Sequence, residues 1–378
     1  MTAPPTFQRR GLLAAAAAAA FAPAVSLGQG RGNARIPMVA QLFDTSQHEQ
    51  DVAKDFVIGS RAAWQDIGSQ GGLRGRPVQH VTIEVDGSSP DAVRQAWLAL
   101  RDHPACVALS GTVSDPLASQ LNALMRADGQ GLAHVAPWLQ NSSAEVDDRA
   151  FPIFAARQEQ IGHALKSLTV MGVNEVGAIF ASAREHDLYR EDVARTAAGL
   201  KLKLATFRGS GDLTALGQRL GPASPALLLF VGGTPELVQF TQGLEKQARQ
   251  RYVIALADVN LQTVQQMGGG KSTPIIATQA VPMVTASLPV VRRYREVMAR
   301  LFDEPPVALS LAGFIAARYT YEVLAGIDGP ITRASALAAF QRRSDVDVGG
   351  YRVSFNAQRR SATFVTQSML TADGRVVG

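Results

Sequence analysis

Short apolar runs alternate with longer segments of helical spacing from residue 35 onward. Ile36-Pro-Met-Val-Ala-Gln-Leu, the alternating stretch 78–85 and the apolar run 106–110 predict strands, whereas 50–67 and 90–101 predict helices. Parallel strands need a crossover of a dozen or more residues between them, and a helix supplies it. This succession therefore predicts a parallel sheet with helices on both faces.

The same succession begins again in the second part of the chain. After a last helix of the first part at 115–127, helices are predicted at 158–171, 189–199, 212–220 and 235–250, and strands at 176–181, 202–207, 226–231 and 252–257. The tail differs, because 351–356 and 362–370 resemble two strands of a β-ribbon that turns at Asn356-Ala-Gln-Arg. A chain of 378 residues is long enough for two domains with their own cores. We therefore predict two doubly wound α/β lobes, joined by packed strands rather than by a flexible linker.

The first residues have the pattern of an export signal. Phe7-Gln-Arg-Arg-Gly-Leu-Leu precedes seven alanines, and Phe21-Ala-Pro-Ala supplies a small-residue cleavage site. The arginine pair resembles a twin-arginine signal, and a general secretory peptide with two incidental arginines is the alternative. Both alternatives predict that 1–24 is a cleaved signal peptide and that the protein is periplasmic. No other window offers the ~18 uncharged apolar residues of a membrane span.

Charge and cysteine usage exclude several classes of protein. The 37 Lys and Arg against 32 Asp and Glu give a net charge of +5, and these charges are scattered, so we predict no nucleic-acid partner. The basic clusters at 292–295, 342–343 and 359–360 are expected to be solvated helix faces and turns. The single cysteine, Cys106, excludes a disulfide scaffold, and its apolar surroundings predict a buried, unreactive thiol.

Motifs of catalysis and metal binding are absent from the sequence. Gly268-Gly-Gly-Lys-Ser-Thr ends like a phosphate loop, but Gln265 stands where that loop needs its first glycine, so we predict a surface turn. The six histidines are dispersed without ligand spacing, and no nucleophile elbow is present. We therefore predict no enzyme activity, no cofactor and no metal.

Several short stretches occur in an order and spacing that resemble one family. They are residues 58–75, Ser110-Gly-Thr-Val-Ser, Gln160-Ile-Gly, Tyr189-Arg-Glu-Asp and Leu229-Phe-Val-Gly-Gly-Thr-Pro-Glu. Over 36–378 the chain resembles the branched-chain (Leu/Ile/Val) amino acid-binding proteins of ABC transporters, which are type I periplasmic binding proteins.

The resemblance implies two lobes joined by a three-crossing hinge. Lobe 1 comprises 36–156 plus 283–345, and lobe 2 comprises 157–282 plus 346–378. A small molecule is enclosed in the cleft between the lobes, which agrees with the rule that open α/β sheets bind ligands beyond the carboxyl ends of their strands. Closure of the hinge around the ligand is the implied motion.

The resemblance also implies ligand-binding residues in lobe 1. Thr112 and Ser114 fall on the hydroxyl-bearing turn that holds an amino acid's carboxylate in the family. Trp138, Leu139 and Gln140 replace a small Gly-Ala-Thr element of the family. A tryptophan at this position either fills the space of the amino acid's head group or stacks on an apolar or aromatic ligand.

In lobe 2 the resemblance implies three further ligand-binding residues. Tyr189 matches a tyrosine of the family, Thr234 stands where a second tyrosine is expected, and Asp258 is the acid nearest to the ammonium-binding position. These residues predict an exported substrate-binding protein that captures an amino acid-like or more apolar solute and delivers it to an ABC-type permease, as a monomer or weak dimer. A periplasmic sensory or accessory subunit is the alternative, and an enzyme on the same scaffold is a third, disfavoured one.

Overall fold

Residues 38–151 form a five-stranded sheet in which every pair of neighbouring strands is parallel. The computed structural model describes residues 36–378 except 171, 210, 246, 362, 363 and 372, so the predicted export signal, 1–24, lies outside the described residues. The strands are β1 (Met38–Asp44), β2 (Gln79–Val85), β3 (Cys106–Ser110), β4 (Ala133–Val135) and β5 (Ala150–Phe151), in the spatial order β2-β1-β3-β4-β5.

Three helices connect the first strands: α1 (Gln50–Ser69), α2 (Pro90–Arg101) and α3 (Asp115–Asp128). Ser89 caps α2, since its hydroxyl accepts a hydrogen bond from the amide of Ala92. Cys106 is fully buried at the start of β3, and burial raises the pKa of its thiol to about 11, as expected of an unreactive cysteine.

The second parallel series repeats this construction. Its helices are α4 (Arg157–Val170), α5 (Ala183–Gly199), α6 (Leu213–Arg219), α7 (Thr234–Leu244) and α8 (Leu261–Gln266). Its strands are β6 (Glu175–Phe180), β7 (Lys203–Arg208), β8 (Leu227–Val231), β9 (Tyr252–Ala255) and β10 (Ile275–Gln279). Helix α5 begins six residues before its predicted start at 189, because Ser182 caps it by accepting a hydrogen bond from the amide of Glu185.

The chain then returns to the first sheet through α9 (Pro289–Leu301), α10 (Ala308–Ala325) and α11 (Arg333–Gln341). Helices α1 and α10 approach so closely that only glycine fits at their crossing. A Cβ on Gly59 would lie 1.7 Å from the Ser310 carbonyl oxygen, and one on Gly313 would lie 1.9 Å from that of Phe56. These glycines allow two backbones to make direct contact.

The predicted β-ribbon at the end of the chain is wrong. The strands are β11 (Val346–Val348), β12 (Tyr351–Val353), β13 (Thr366–Leu370) and β14 (Val376–Val377). β12 pairs with β11 rather than with β13, because Gly349 and Gly350, with φ of 56° and 92°, form a tight turn directly before it. β13 instead runs antiparallel to β10 in a seven-stranded sheet of order β14-β13-β10-β9-β8-β6-β7.

Each sheet separates two apolar clusters and so forms the centre of one lobe. Met38, Ala40 and Leu42 of β1 point to one cluster and Val39 to the other. Val348, Tyr351 and Val353 of the hairpin β11–β12 belong to the largest cluster, most of whose residues lie in the first lobe. The hairpin therefore packs mainly against residues of the first lobe.

The basic clusters are less solvated than expected. Arg293 donates to the fully buried carboxylate of Asp66 at 2.6 Å. The guanidinium of Arg343 lies 4.7 Å from the Phe151 ring centroid. Arg360 is only 6% exposed and donates to three carbonyl oxygens of the segment 139–144. This last contact fixes the loop that follows β4, which carries three of the predicted site residues.

Candidate functional site

Loops from both lobes meet where the parallel strands of the two sheets end. The contributing segments follow β1, β3, β4, β6, β8 and β9, and hydrogen bonds between side chains of the two lobes join them. In open α/β sheets this is the edge at which ligands bind. The predicted site residues all belong to these loops or to the first two turns of the helices after them.

Thr112 is fully buried and bonded within lobe 1. His134 lies between Thr112 and Asn122, with Nδ1 2.6 Å from Asn122 Oδ1 and Nε2 2.8 Å from Thr112 Oγ1. Because Nδ1 donates to the amide oxygen, Nε2 accepts from the threonine hydroxyl. Burial lowers the pKa of His134 to about 3, which keeps the ring neutral and able to accept. The Thr112 hydroxyl therefore already has an acceptor.

Ser114 is also engaged within lobe 1. Its hydroxyl donates to Asp44 Oδ2 at 2.6 Å and accepts from the amide of Leu117, which caps α3. The other oxygen of Asp44 accepts from the amides of Ser46 and Gly87. Ser114 has a φ of 96°, in a region that L-residues rarely adopt and that costs of order 1–3 kcal/mol. Its hydrogen bonds hold the turn in this conformation.

Trp138 packs into the apolar core and reaches the other lobe with its N–H group. The indole is 2% exposed, and its ring centroid lies 5.7 Å from that of Phe56 and 5.3 Å from that of Phe154. Its Nε1 donates to Asp258 Oδ1 at 2.8 Å. The neighbouring Leu139 is 1% exposed. The indole therefore joins the aromatic core around Phe56 and Phe154 to the carboxylate of Asp258.

A buried ion pair neutralises Asp258. Arg157, the first residue of α4, donates through Nη2 to Asp258 Oδ2, and its guanidinium carbon lies 5.4 Å from the Tyr189 ring centroid. Tyr189 in turn donates its hydroxyl to Asp115 Oδ2 at 3.2 Å. Burial raises the pKa of Asp115, although backbone hydrogen bonds and Arg157 oppose the rise. Asp258 therefore uses both oxygens within the protein, one on Trp138 and one on Arg157.

Gln140 is tied to the start of the second lobe through Gln160. Gln160 Nε2 donates to the side-chain oxygen of Gln140 and, at 2.9 Å, to the carbonyl of Ala155. Gln160 Oε1 accepts from the amide of Ala257 at 2.9 Å. The backbone of Gln140 accepts from the amide of Arg157 at 2.9 Å. These bonds join segments of both lobes around the first crossing.

Thr234 contributes to a second bridge between the lobes. Its hydroxyl accepts from the amide of Asn260 at 3.0 Å, and Asn260 Nδ2 donates to Asp55 Oδ2 on α1 at 2.6 Å. Burial raises the pKa of Asp55 to about 6, against the opposing effect of this hydrogen bond. The bridge places a carboxyl group that titrates near neutral pH on the contact between the lobes.

Glu49 adds a further acid to this region. Burial raises its pKa well above the usual range, and the negative charges of Asp258, Asp44 and Asp115 raise it further, while Arg184 opposes them. The contact region between the lobes therefore has more carboxyl groups than basic groups.

Sequence reasoning missed five residues of this network, namely Asp55, Asp115, Arg157, Gln160 and Asn260. A signal existed for Arg157, which directly follows the apolar run 150–156 that leads out of lobe 1. A charged residue at the end of a buried apolar run is itself buried unless the chain reaches solvent there. Arg157 is only 5% exposed. Gln160 and Asp115 lie within or next to the stretches that carry the resemblance.

A separate small cavity borders this network at Asn260. It has a volume of about 50 Å³ and lies where α8, the start of α10 and β13 meet. This volume holds a few water molecules, far below the ~300 Å³ or more of a solute pocket. Within the residues that the structure describes, no group of three or more His, Cys, Asp or Glu could hold a metal ion.

Comparison with known proteins identifies the family. The sequence pattern of the family described as periplasmic binding protein matches residues 38–372. The chain belongs to this family. No match was found among the curated proteins.

Solved structures of periplasmic binding proteins have the same fold. An extracellular ligand-binding receptor from Verminephrobacter eiseniae superposes with a TM-score of 0.81 at 17% identity, over 91% of this chain and 100% of that one. A substrate-binding periplasmic protein from Ralstonia solanacearum superposes with a TM-score of 0.79 at 19% identity, over 90% of this chain and 99% of that one. A branched-chain amino acid transporter substrate-binding protein from Streptococcus pneumoniae, solved with isoleucine, superposes with a TM-score of 0.72 at 14% identity, over 90% of this chain and 97% of that one.

These findings confirm the predicted type I periplasmic binding protein fold of two α/β lobes. The family consists of substrate-binding proteins, not enzymes, which confirms that prediction as well. Proteins of this family bind small molecules outside the cytoplasm. Among the described residues, no helix has the length and apolar character needed to cross a membrane.

Proposed function

We propose that this periplasmic binding protein is exported by its N-terminal signal, captures a small organic solute between its lobes and delivers it to an ABC-type permease. The observation that carries the proposal is the set of side-chain bonds between the lobes at the ends of the parallel strands. Trp138 to Asp258, Asp115 to Tyr189 and Asp55 to Asn260 each join one lobe to the other. A closed arrangement of this kind excludes water from a solute held between the lobes.

The solute is expected to have an apolar part and a polar group. Support for the apolar part comes from Trp138, Phe56 and Phe154, which place three aromatic rings beside the polar network. Support for the polar group comes from the buried donors around Arg157. An amino acid-like or more aromatic solute satisfies both conditions. The isoleucine bound to the Streptococcus pneumoniae protein has both an apolar part and polar groups.

A binding screen with the chain from residue 36 onward tests the proposal. Thermal unfolding is recorded with amino acids, aliphatic and aromatic carboxylates, their amides, polyamines and alcohols at millimolar concentration. A solute at 100 times its Kd adds about 2.7 kcal/mol to the free energy of unfolding, which raises the Tm measurably. Stabilisation by one chemical class, without turnover of the compound, supports the proposal.

Delivery to a permease needs a second measurement. The protein is added with its bound solute to proteoliposomes that contain the permease encoded beside it, and ATP-driven uptake is measured. Uptake that depends on the binding protein supports transport. Binding without uptake supports a sensory or accessory subunit instead, and the absence of binding for every compound class contradicts the proposal.

A further inference from the structure

Two buried side chains of the network have N–H groups that find no acceptor in the part of the chain that the structure describes. Gln140 is 0% exposed and Arg157 is 5% exposed, and among the described residues Gln140 Nε2, Arg157 Nε and Arg157 Nη1 have no hydrogen-bond partner. Buried polar groups are paired in the great majority of cases, so unpaired ones need an explanation. We propose that these donors form an oxyanion subsite that takes the carboxylate of the bound solute. This inference rests on the proposed function, since it assigns a chemical class to the solute.

The orientation of the Gln140 amide follows from its neighbours. Gln160 Oε1 accepts from the backbone amide of Ala257, so Gln160 Nε2 is the donor toward Ala155 and Gln140. The atom of Gln140 that faces Gln160 must then be the acceptor, Oε1. Nε2 is consequently the atom that points elsewhere, and it offers two N–H donors.

Arg157 remains charged in this environment. Burial opposes its charge, but Asp258, Tyr189 and Asp115 outweigh burial and raise its pKa above the usual range. Nη2 is bonded to Asp258, and the guanidinium lies beside the ring of Tyr189, whereas Nε and Nη1 find no partner among the described residues. The remaining nitrogens offer three N–H donors. A guanidinium with free donors pairs best with a carboxylate or another oxyanion, to which its hydrogen bonds are charge-assisted.

The two donor groups belong to one assembly. The amide of Arg157 donates to the Gln140 carbonyl, and the amide of Gln140 donates to Asp115 Oδ1 at 2.7 Å. Asp115 also accepts from Tyr189, which covers Arg157. The backbone bonds and Asp115 therefore hold both side chains in place before a solute arrives.

Three side chains to which the resemblance assigns the carboxylate or the ammonium have partners within the protein. The hydroxyl of Thr112 donates to His134, and that of Ser114 donates to Asp44. Asp258 is bonded by Arg157 and by Trp138. The hydroxyl turn to which the family resemblance assigns the carboxylate is thus occupied. This places the oxyanion at the first crossing between the lobes instead.

Matched ligand pairs test the inference. The probes are phenylacetate with phenylacetamide, 3-methylbutanoate with its amide, and leucine with leucinamide, each titrated calorimetrically. The carboxylate of a pair is expected to bind at least tenfold more tightly than the amide. R157Q is expected to weaken carboxylate binding at least tenfold while amide binding changes less than threefold. R190Q removes an exposed arginine of α5, which pairs with Glu191, and serves as the matched control, with an unchanged ratio.

A second variant covers the possibility that R157Q does not fold. Q140L removes the amide donors and keeps a side chain of similar size, and it is expected to lower the carboxylate-to-amide ratio at least threefold. Amides that bind as well as carboxylates overturn the oxyanion subsite but leave the proposed function intact. An unchanged ratio in the folded variants does the same. Failure of every compound in the wider screen refutes the proposed function itself.

Discussion

Replacing Trp138 by alanine should both destabilise the fold and weaken solute binding. The indole is 2% exposed and packs against two phenylalanine rings, so its removal leaves a cavity in the core. Truncation of a buried tryptophan costs about 3 to 5 kcal/mol. The same change removes a hydrogen bond to the carboxylate of Asp258, and such charged bonds contribute about 1.5 to 3 kcal/mol. We expect a total loss near the upper end of the first range.

Trp138→Phe separates the two contributions. A phenyl ring keeps much of the contact with Phe56 and Phe154 but cannot donate to Asp258. This variant should therefore lose about 2 kcal/mol, roughly half of the alanine effect. Because Asp258 remains paired with Arg157, its charge is not left alone in the core.

Urea unfolding of the chain from residue 36, followed by far-ultraviolet circular dichroism, measures both losses. Calorimetry with the solute found in the screen measures affinity, which should fall more for alanine than for phenylalanine. A loss below about 1 kcal/mol for Trp138→Ala would show that the indole does not support the core. Equal losses for the two variants would show that the hydrogen bond, and not the packing, accounts for the effect.

Three further changes test other parts of the structure. Gly313→Ala should cost about 3 kcal/mol or more of stability, because its Cβ would meet a backbone carbonyl. The control Gly326→Ala, with its nearest contacts at 3.6 Å, should change stability by less than about 1 kcal/mol. Similar urea midpoints for the two variants contradict this prediction. Burial raises the pKa of Asp55 to about 6, so its protonated form favours the folded state. This contribution to stability, at most about 3 kcal/mol, is complete below about pH 4 and is lost as the pH rises through 6. Asp55→Asn should therefore gain stability relative to the original chain between pH 4 and 7 in urea titrations, and parallel profiles refute this. Ser114→Gly should be more stable than Ser114→Ala by about 1 kcal/mol or more, since both variants lose the hydroxyl but only glycine adopts a φ of 96° without strain. Equal thermal stability of the two variants contradicts backbone strain at this position.

The fold was predictable because local signals agreed with the global pattern. β3 coincides with the predicted strand 106–110, and α2 coincides with the predicted helix 90–101. These segments have both hydrophobic periodicity and clear ends, such as Ser89 before Pro90. The prediction for the final hairpin was wrong because apolar strands of similar character compete for partners, and the hydrophobic pattern alone does not choose among them. The glycine pair 349–350 was the local signal that decides this pairing.

The site was only partly predictable, because a residue's partner is invisible in sequence. Asp258 and Tyr189 were predicted as ligand contacts, and the structure pairs them with Arg157 and Asp115, which were not predicted. These pairs lie 101 and 74 residues apart in the chain. Neither helical spacing nor strand alternation relates residues at such separations.

The unpredicted partners also change the expected specificity. In the resemblance, hydroxyls hold the carboxylate and an acid holds the ammonium of an amino acid. Here the acid, Asp258, is paired with Arg157, so an ammonium that approached it would have to compete with a buried guanidinium. Displacing that guanidinium would leave a buried charge without its partner, whereas a carboxylate can bind its free donors without breaking the pair. On the proposed oxyanion subsite, we therefore expect Arg157, which neutralises Asp258, to favour carboxylates over simple amines.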